Sequence, residues 1–261
     1  MKRMRFNAQE LYVLANISGK ESMYGIPDGF ERIPDEEALP VRETIIGKLL
    51  DEGIVTMDFD GNLTVAEDYR KLVSVYCDCQ KCMTVNRSGD DAAAEDLIFW
   101  RFNGKTYRAE VLDDDFAFSL TADLEPETVL MQDEWRETPE REPSETIIPQ
   151  IALSNAKRLA AEGKKDEALR VLRQNGADER TAAVLYDGLQ GNAHYLGVLI
   201  MDLSTGGFEK TEKAWLSSRD MILALSTTVV NFRTCTVFTG IARETLLHGL
   251  KELASSFTEG M

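Results

Sequence analysis

The amino-acid sequence predicts an α+β protein of two similarly ordered halves, each running from helices into an antiparallel sheet and then a closing helix, a pseudo-twofold plan. Two observations carry this expectation. Along the 261 residues the hydrophobic spacing moves from a helical period to strict alternation and back again, and it does so twice. Between the two runs, Asp133 to Glu145 combines acids with Pro139 and Pro143 and holds little apolar content, the composition of a solvated linker. The expected organisation is a first half over 1–132, an acidic linker over 133–146 and a second half over 147–261, with the sheets of the two halves either joined or stacked.

In the first half, Leu11, Leu14 and Ala15 recur at helical spacing within 8–18. A second helix is expected over 39–52, carrying Ile45, Ile46, Leu49 and Leu50 and stopping at Gly53, where a left-handed cap forms easily. Residues 54–57 and 63–65 flank the turn Asp58-Phe59-Asp60-Gly61, and a short helix passes through Tyr69 and Leu72. Alternation then predicts strands over 73–85, 97–102, 107–112 and 116–121, the middle pair joined by the hairpin signal Asn103-Gly104. Asp113-Asp114-Asp115 reads as the next turn, and Pro126 opens a helix to about 132.

The second half predicts helices over 151–162, 165–174 and 179–189, then strands over 195–203, 208–216, 221–229 and 232–238, with turns at Thr205-Gly206-Gly207 and Ser218-Arg219-Asp220. A helix over 241–257 closes the chain, with Leu246, Leu247, Leu250 and Leu253 facing inward.

Composition narrows the function classes. Hydrophobic residues at 43% and charged residues at 28% suit a chain that buries a core, which excludes disordered and collagen-like classes. Lys and Arg number 29 against 45 Asp and Glu, a formal charge of -16 that argues against nucleic acid or an anionic membrane as partner. The charge is local: residues 90–145 hold 17 acids and 5 bases, whereas 146–261 hold 13 of each. No window approaches 18 uninterrupted apolar residues, and the basic start Met1 to Phe6 runs into polar Asn7, Gln9 and Glu10 rather than an apolar signal core, so a cytoplasmic protein with reduced thiols is expected.

Few constellations carry chemistry. Cys77-Asp78-Cys79-Gln80-Lys81-Cys82 is the sharpest, since thiolates at this spacing reach one zinc ion and Cys235 is available as a fourth ligand. On a strand, however, Cys77 and Cys79 share one face and Cys82 the other, and buried thiols are the preferred reading, with no metal and no cofactor expected. Asp58-Phe59-Asp60-Gly61-Asn62 begins like a calcium loop, but the twelfth position is Tyr69 instead of an acid, so a hairpin turn is expected. His194 and His248 are the only histidines, neither in a pattern with a nucleophile, and no phosphate-binding or nucleophile-elbow motif occurs; no enzyme is expected. The segment Gly163 to Leu172 has tetratricopeptide character without a repeat. Trp100, Trp135 and Trp215 stand at core-like spacing, and no binding residue is assigned.

The opening helix with Glu10-Leu11-Tyr12-Val13-Leu14, the helix ending Leu49-Leu50-Asp51-Glu52-Gly53-Ile54-Val55, the turn Asp60-Gly61, the Leu63 to Leu72 segment and the strands that follow resemble the EspG-like chaperones of ESX (type VII) secretion. The resemblance implies a sheet flanked by helices in twofold arrangement and a cytosolic binder that shields the apolar tip of a helical-bundle export substrate; it brings no catalytic residues. The rival expectations are a winged-helix-like transcriptional or signalling regulator, whose helix and wing offer Asp51, Glu52, Asp58 and Asp60 against Lys48 and Arg42, and a zinc-dependent enzyme or zinc-stabilised module using Cys77 to Cys82. Oligomeric state is open.

Overall fold

A computed structural model describes residues 4–89, 92–112, 115–120, 126–132, 135, 145–204, 208–218 and 221–259. The chain begins with β1 (Arg5–Asn7), α1 (Ala8–Ile17) and α2 (Asp35–Asp51), followed by a small hairpin of β2 (Val55–Met57) and β3 (Leu63–Val65) and then α3 (Glu67–Cys77). The strands β4 (Lys81–Gly89), β5 (Ala92–Phe102), β6 (Lys105–Leu112) and β7 (Asp115–Ser119) lead to α4 (Pro126–Leu130). The second half runs β8 (Glu145–Pro149), α5 (Gln150–Ala161), α6 (Lys165–Gln174), α7 (Glu179–Leu189), then β9 (His194–Asp202), β10 (Glu209–Ser218), β11 (Met221–Val230), β12 (Arg233–Ile241) and α8 (Arg243–Thr258).

Apart from the β2–β3 hairpin, the described strands form one ten-stranded antiparallel sheet in the order β1-β7-β6-β5-β4-β9-β10-β11-β12-β8. The α+β class holds, and the sheets of the two halves join. Their seam is the pairing of β4 with β9, from Lys81↔Asp202 to Ser88↔Tyr195. Outward from it the strand order has the same form on both sides, with the earliest strand of each half at the outer edge.

Alternation along the strands divides the core. On one face Cys82, Ile98, Trp100 and Phe118 pack under α1, α2 and α3, while Leu216, Leu223 and Phe238 pack under α5, α6 and α7. On the other face Met83, Leu97, Phe99, Val198, Ile200 and Trp215 meet α4 and α8 through Val129, Leu130, Leu246, Leu250 and Phe257. Trp100 anchors the first face: its ring stacks on Phe118 at 5.4 Å between centroids, and its Nε1 donates to the Tyr24 carbonyl at 2.7 Å. Gly25, at φ +78, sits where a Cβ would come within 2.7 Å of the Cys82 sulfur.

Several expectations change. The stretch 73–77 belongs to α3 and is not a strand, because Tyr69, Leu72, Val73 and Tyr76 form a buried helical stripe and the Tyr76 hydroxyl donates to the Leu11 carbonyl. The second helix starts at Asp35 rather than 39; Asp35, Glu36 and Glu37 favour its positive end, and Pro40 is accommodated inside it. Gly53 takes the expected left-handed conformation at φ +68. The three-residue β1 was not expected. Neither was β8, which begins at Glu145 inside the expected linker; the rest of 133–144, apart from Trp135, lies outside the described residues, as do Asp113, Asp114, Thr205-Gly206-Gly207 and Arg219-Asp220.

Two buried cations on β4 hold helix ends against the second face. Lys81 donates from Nζ to the carbonyls of Ser256 and Glu259 at 2.5 and 2.7 Å and lies 3.2 Å from Asp202. Arg87 donates to the Val129 carbonyl near the end of α4. Lys81 meets carbonyls at the end of α8, where helix geometry leaves carbonyls without internal donors, while the Val129 carbonyl also accepts from the Gln132 amide at 3.3 Å. Burial works to raise the Asp202 carboxyl, but bonds from Ser204 and Lys81 outweigh it and hold the group below its ordinary value. A lowered folded pKa contributes stability that is present at neutral pH and lost as pH falls through it. Lys81→Ala is expected to cost roughly 2–4 kcal/mol in urea unfolding. It should also flatten the loss of stability below about pH 4, since Asp202 then loses one of its donors.

Candidate partner-binding surfaces

The cysteine cluster is dispersed over three kinds of element. Cys77 ends α3, Cys79 lies in the following loop and Cys82 is in β4. Cys235 is on β12, four strands from β4, which at ordinary strand spacing is about 19 Å or more. All four are buried free thiols. Among the described residues no three His, Cys, Asp or Glu side chains come together as a metal site. Burial, joined by the charge of Asp78, pushes the Cys77 thiol up to about 12; burial likewise carries Cys79 to about 12 and Cys82 well above its ordinary value. Thiolate is the reactive form, so these groups sit in the environment of inert structural cysteines. A thiol reagent at pH 8 should leave Cys77, Cys79 and Cys82 unmodified in the native chain and label them on unfolding, read by mass spectrometry; rapid native labelling would contradict the burial described.

The remaining sequence candidates also find structural places. Asp58 organises the β2–β3 turn, accepting from the Asp60 and Asn62 amides at 2.9 and 2.8 Å and from the Asn62 side chain at 3.0 Å, while Tyr69 is in the core. Bonds from Asn62 hold the Asp58 carboxyl below its ordinary value. His248 is exposed on α8 and faces Glu252 at 3.2 Å. His194, at the start of β9, meets the Trp135 ring edge-on at 4.6 Å. Trp100, Trp135 and Trp215 are all buried.

The helix, hairpin and helix of α2, β2–β3 and α3 form in the order of a winged-helix-like segment, but its cations are engaged internally. Lys48 bonds at 2.8 Å to Glu10, which is 1% exposed and also closes the capping box at the start of α1. Arg42 lies over the rings of Tyr12 and Phe30 at 5.4 and 4.9 Å.

A further candidate surface lies in the second half. An open groove of about 420 Å³ runs between α6 and α7, with Lys165, Arg173, Glu179 and Arg180 on its rim and Leu169, Ala182, Ala183 and Val184 within it. Lys165 is poised over the Tyr186 ring at 5.4 Å, and Arg173 donates from Nε to the Leu169 carbonyl. A rim of three cations and one acid around an apolar floor, in a chain of charge -16, is suited to an amphipathic segment with acidic flanks. The sequence carried the signal in the stripe Lys165, Leu169, Arg173, spaced four residues apart along one side of α6.

No family model matches the chain, and no curated protein matches it. Among solved structures, this fold is matched over its full length by a complex of the Mycobacterium tuberculosis type VII secretion system chaperone EspG5 with the PE25-PPE41 dimer. The whole chain is similar in fold to a secretion chaperone. The match covers 98% of this chain and 97% of the other, with a TM-score of 0.53 and 12% sequence identity. EspG5 in that structure holds a protein dimer. Among the described residues no helix is long and apolar enough to cross a membrane.

Proposed function

We propose that this protein is a non-enzymatic, cytoplasmic binding protein of the type VII secretion chaperone kind, which keeps a helical-bundle export substrate soluble by covering an apolar part of its surface. The observation that supports this most is the extent of the fold match: both chains are covered nearly end to end, so the likeness extends over both halves. The groove between α6 and α7 gives the reading a surface. Its apolar floor receives a helical element, and Lys165, Arg173 and Arg180 select for acids beside it.

Co-expression of the full chain with the small helical export proteins of its native host tests the proposal. One of them should become soluble only with this chain present and co-purify with it; if all remain insoluble or unbound, the reading falls. The double variant Lys165→Glu and Arg173→Glu is expected to weaken that complex roughly tenfold, about 1.4 kcal/mol, mainly through slower association, as measured by biolayer interferometry. The thermal unfolding midpoint should fall only slightly, since both side chains are exposed and lose only surface contacts with Tyr186 and the Leu169 carbonyl.

A further inference from the structure

The two helices that wall the groove run antiparallel. A short turn joins the end of α6 to the start of α7, so Arg173, Glu179 and Arg180 stand at the turn end of the groove, and Lys165, over the Tyr186 ring, stands at the other. Lys165, Leu169 and Arg173 form one ridge of α6, a cation, a half-buried leucine and a cation at intervals of four residues. The two cations are rooted about 12 Å apart along the helix axis. Across the groove α7 presents Ala182 and Ala183, side chains short enough to let another helix approach closely.

Acids outnumber bases in this chain by 45 to 29, yet neither Lys165 nor Arg173 forms an ion pair among the described residues. Their neighbours Arg158 and Lys164 both pair with Glu162. Lys165 and Arg173 are instead steadied by uncharged groups, the Tyr186 ring and the Leu169 carbonyl, with their charges on the rim of the groove. Cations held in position and not neutralised by the protein's own carboxylates are prepared for carboxylates from outside. Glu179 acts in the opposite sense: a run of adjacent acids brought to the turn end meets a like charge as well as Arg173 and Arg180.

Resting on the reading of this groove as the chaperone's substrate surface, we infer that it selects a spacing on the partner's helix: an acid, an apolar residue and an acid at positions i, i+4 and i+8. Two helices that interlock through their i±4 rows cross at about -50°, the angle at which those rows lie parallel. The partner's row then runs beside Lys165, Leu169 and Arg173 over the same span of about 12 Å. Its two carboxylates meet the two cations, and its central side chain meets Leu169 and the alanines of α7. Acids one turn apart reach only one of the cations, and acids adjacent in sequence point to different sides of their helix.

Fluorescence anisotropy of the full chain with labelled peptides of about fifteen residues, cross-linked on the far face to hold them helical, tests this. One peptide places Glu, Leu and Glu at i, i+4 and i+8 of an otherwise uncharged helix; a second has the same composition with its glutamates adjacent; a third carries Lys in place of each Glu. The first should bind roughly tenfold more tightly than the second and weaken as salt is added. The double variant Lys165→Glu and Arg173→Glu, with circular dichroism unchanged, should lose that preference and bind the lysine peptide roughly tenfold more tightly than the unaltered chain does. Equal affinity for the two glutamate peptides, no binding of the first, or a lysine peptide that does not distinguish the two chains would each overturn the assignment. Failure here is separable from failure of the chaperone reading: an export protein that still co-purifies while the peptides do not discriminate is held by another surface, whereas peptides that discriminate while no export protein co-purifies leave the selectivity of the groove standing.

Discussion

The antiparallel ladder between β4 and β9 is the constraint on which the rest of the architecture depends. It is formed of backbone hydrogen bonds from Lys81↔Asp202 to Ser88↔Tyr195, and through it two sheets that would each end in an open edge become one. Once that seam is set, the alternation of side chains along β4 and β9 assigns every neighbouring strand its faces. Cys82 is then committed to the layer under α1 to α3, and Met83 to the layer under α4 and α8. The same strand also carries Lys81 and Arg87, so the element that joins the halves holds the ends of two helices.

Much of this plan was legible because it rests on local periodicity. Helices α6 and α7 occupy the residues that spacing assigned to them, and Asn103-Gly104 makes the hairpin its composition implies, with both residues at positive φ. What escaped the sequence were elements whose existence is a tertiary fact. Strands β1 and β8 are too short to show a period and are strands only because β7 and β12 offer them edges. The Val73 to Cys77 stretch is rich in β-branched residues, yet the helical stripe through Tyr69, Leu72, Val73 and Tyr76 has a core to bury against, and packing prevails over propensity.

The candidate surface was legible in part. The stripe on α6 is readable as spacing, but its significance depends on α7 supplying Arg180 and Ala182 across a groove, which no local pattern encodes. The cysteine cluster shows the reverse: three thiols close in sequence suggested shared chemistry, and the turn from α3 into β4 distributes them through an apolar layer instead. The acids beside α2 and the β2–β3 turn face solvent, since Lys48 and Arg42 are drawn into contacts with Glu10, Tyr12 and Phe30.

The seam also has a consequence for how the chain reaches its fold. Lys81 and Asp202 are more than a hundred positions apart, so during synthesis β4 emerges long before the strand that covers its edge. For that interval the first half presents an unpaired central strand, with Met83 and Val85 on a face that α8, made later still, covers in the folded chain. The order of translation therefore imposes a period of exposure on the nascent protein, which lasts until β9 and α8 have been made.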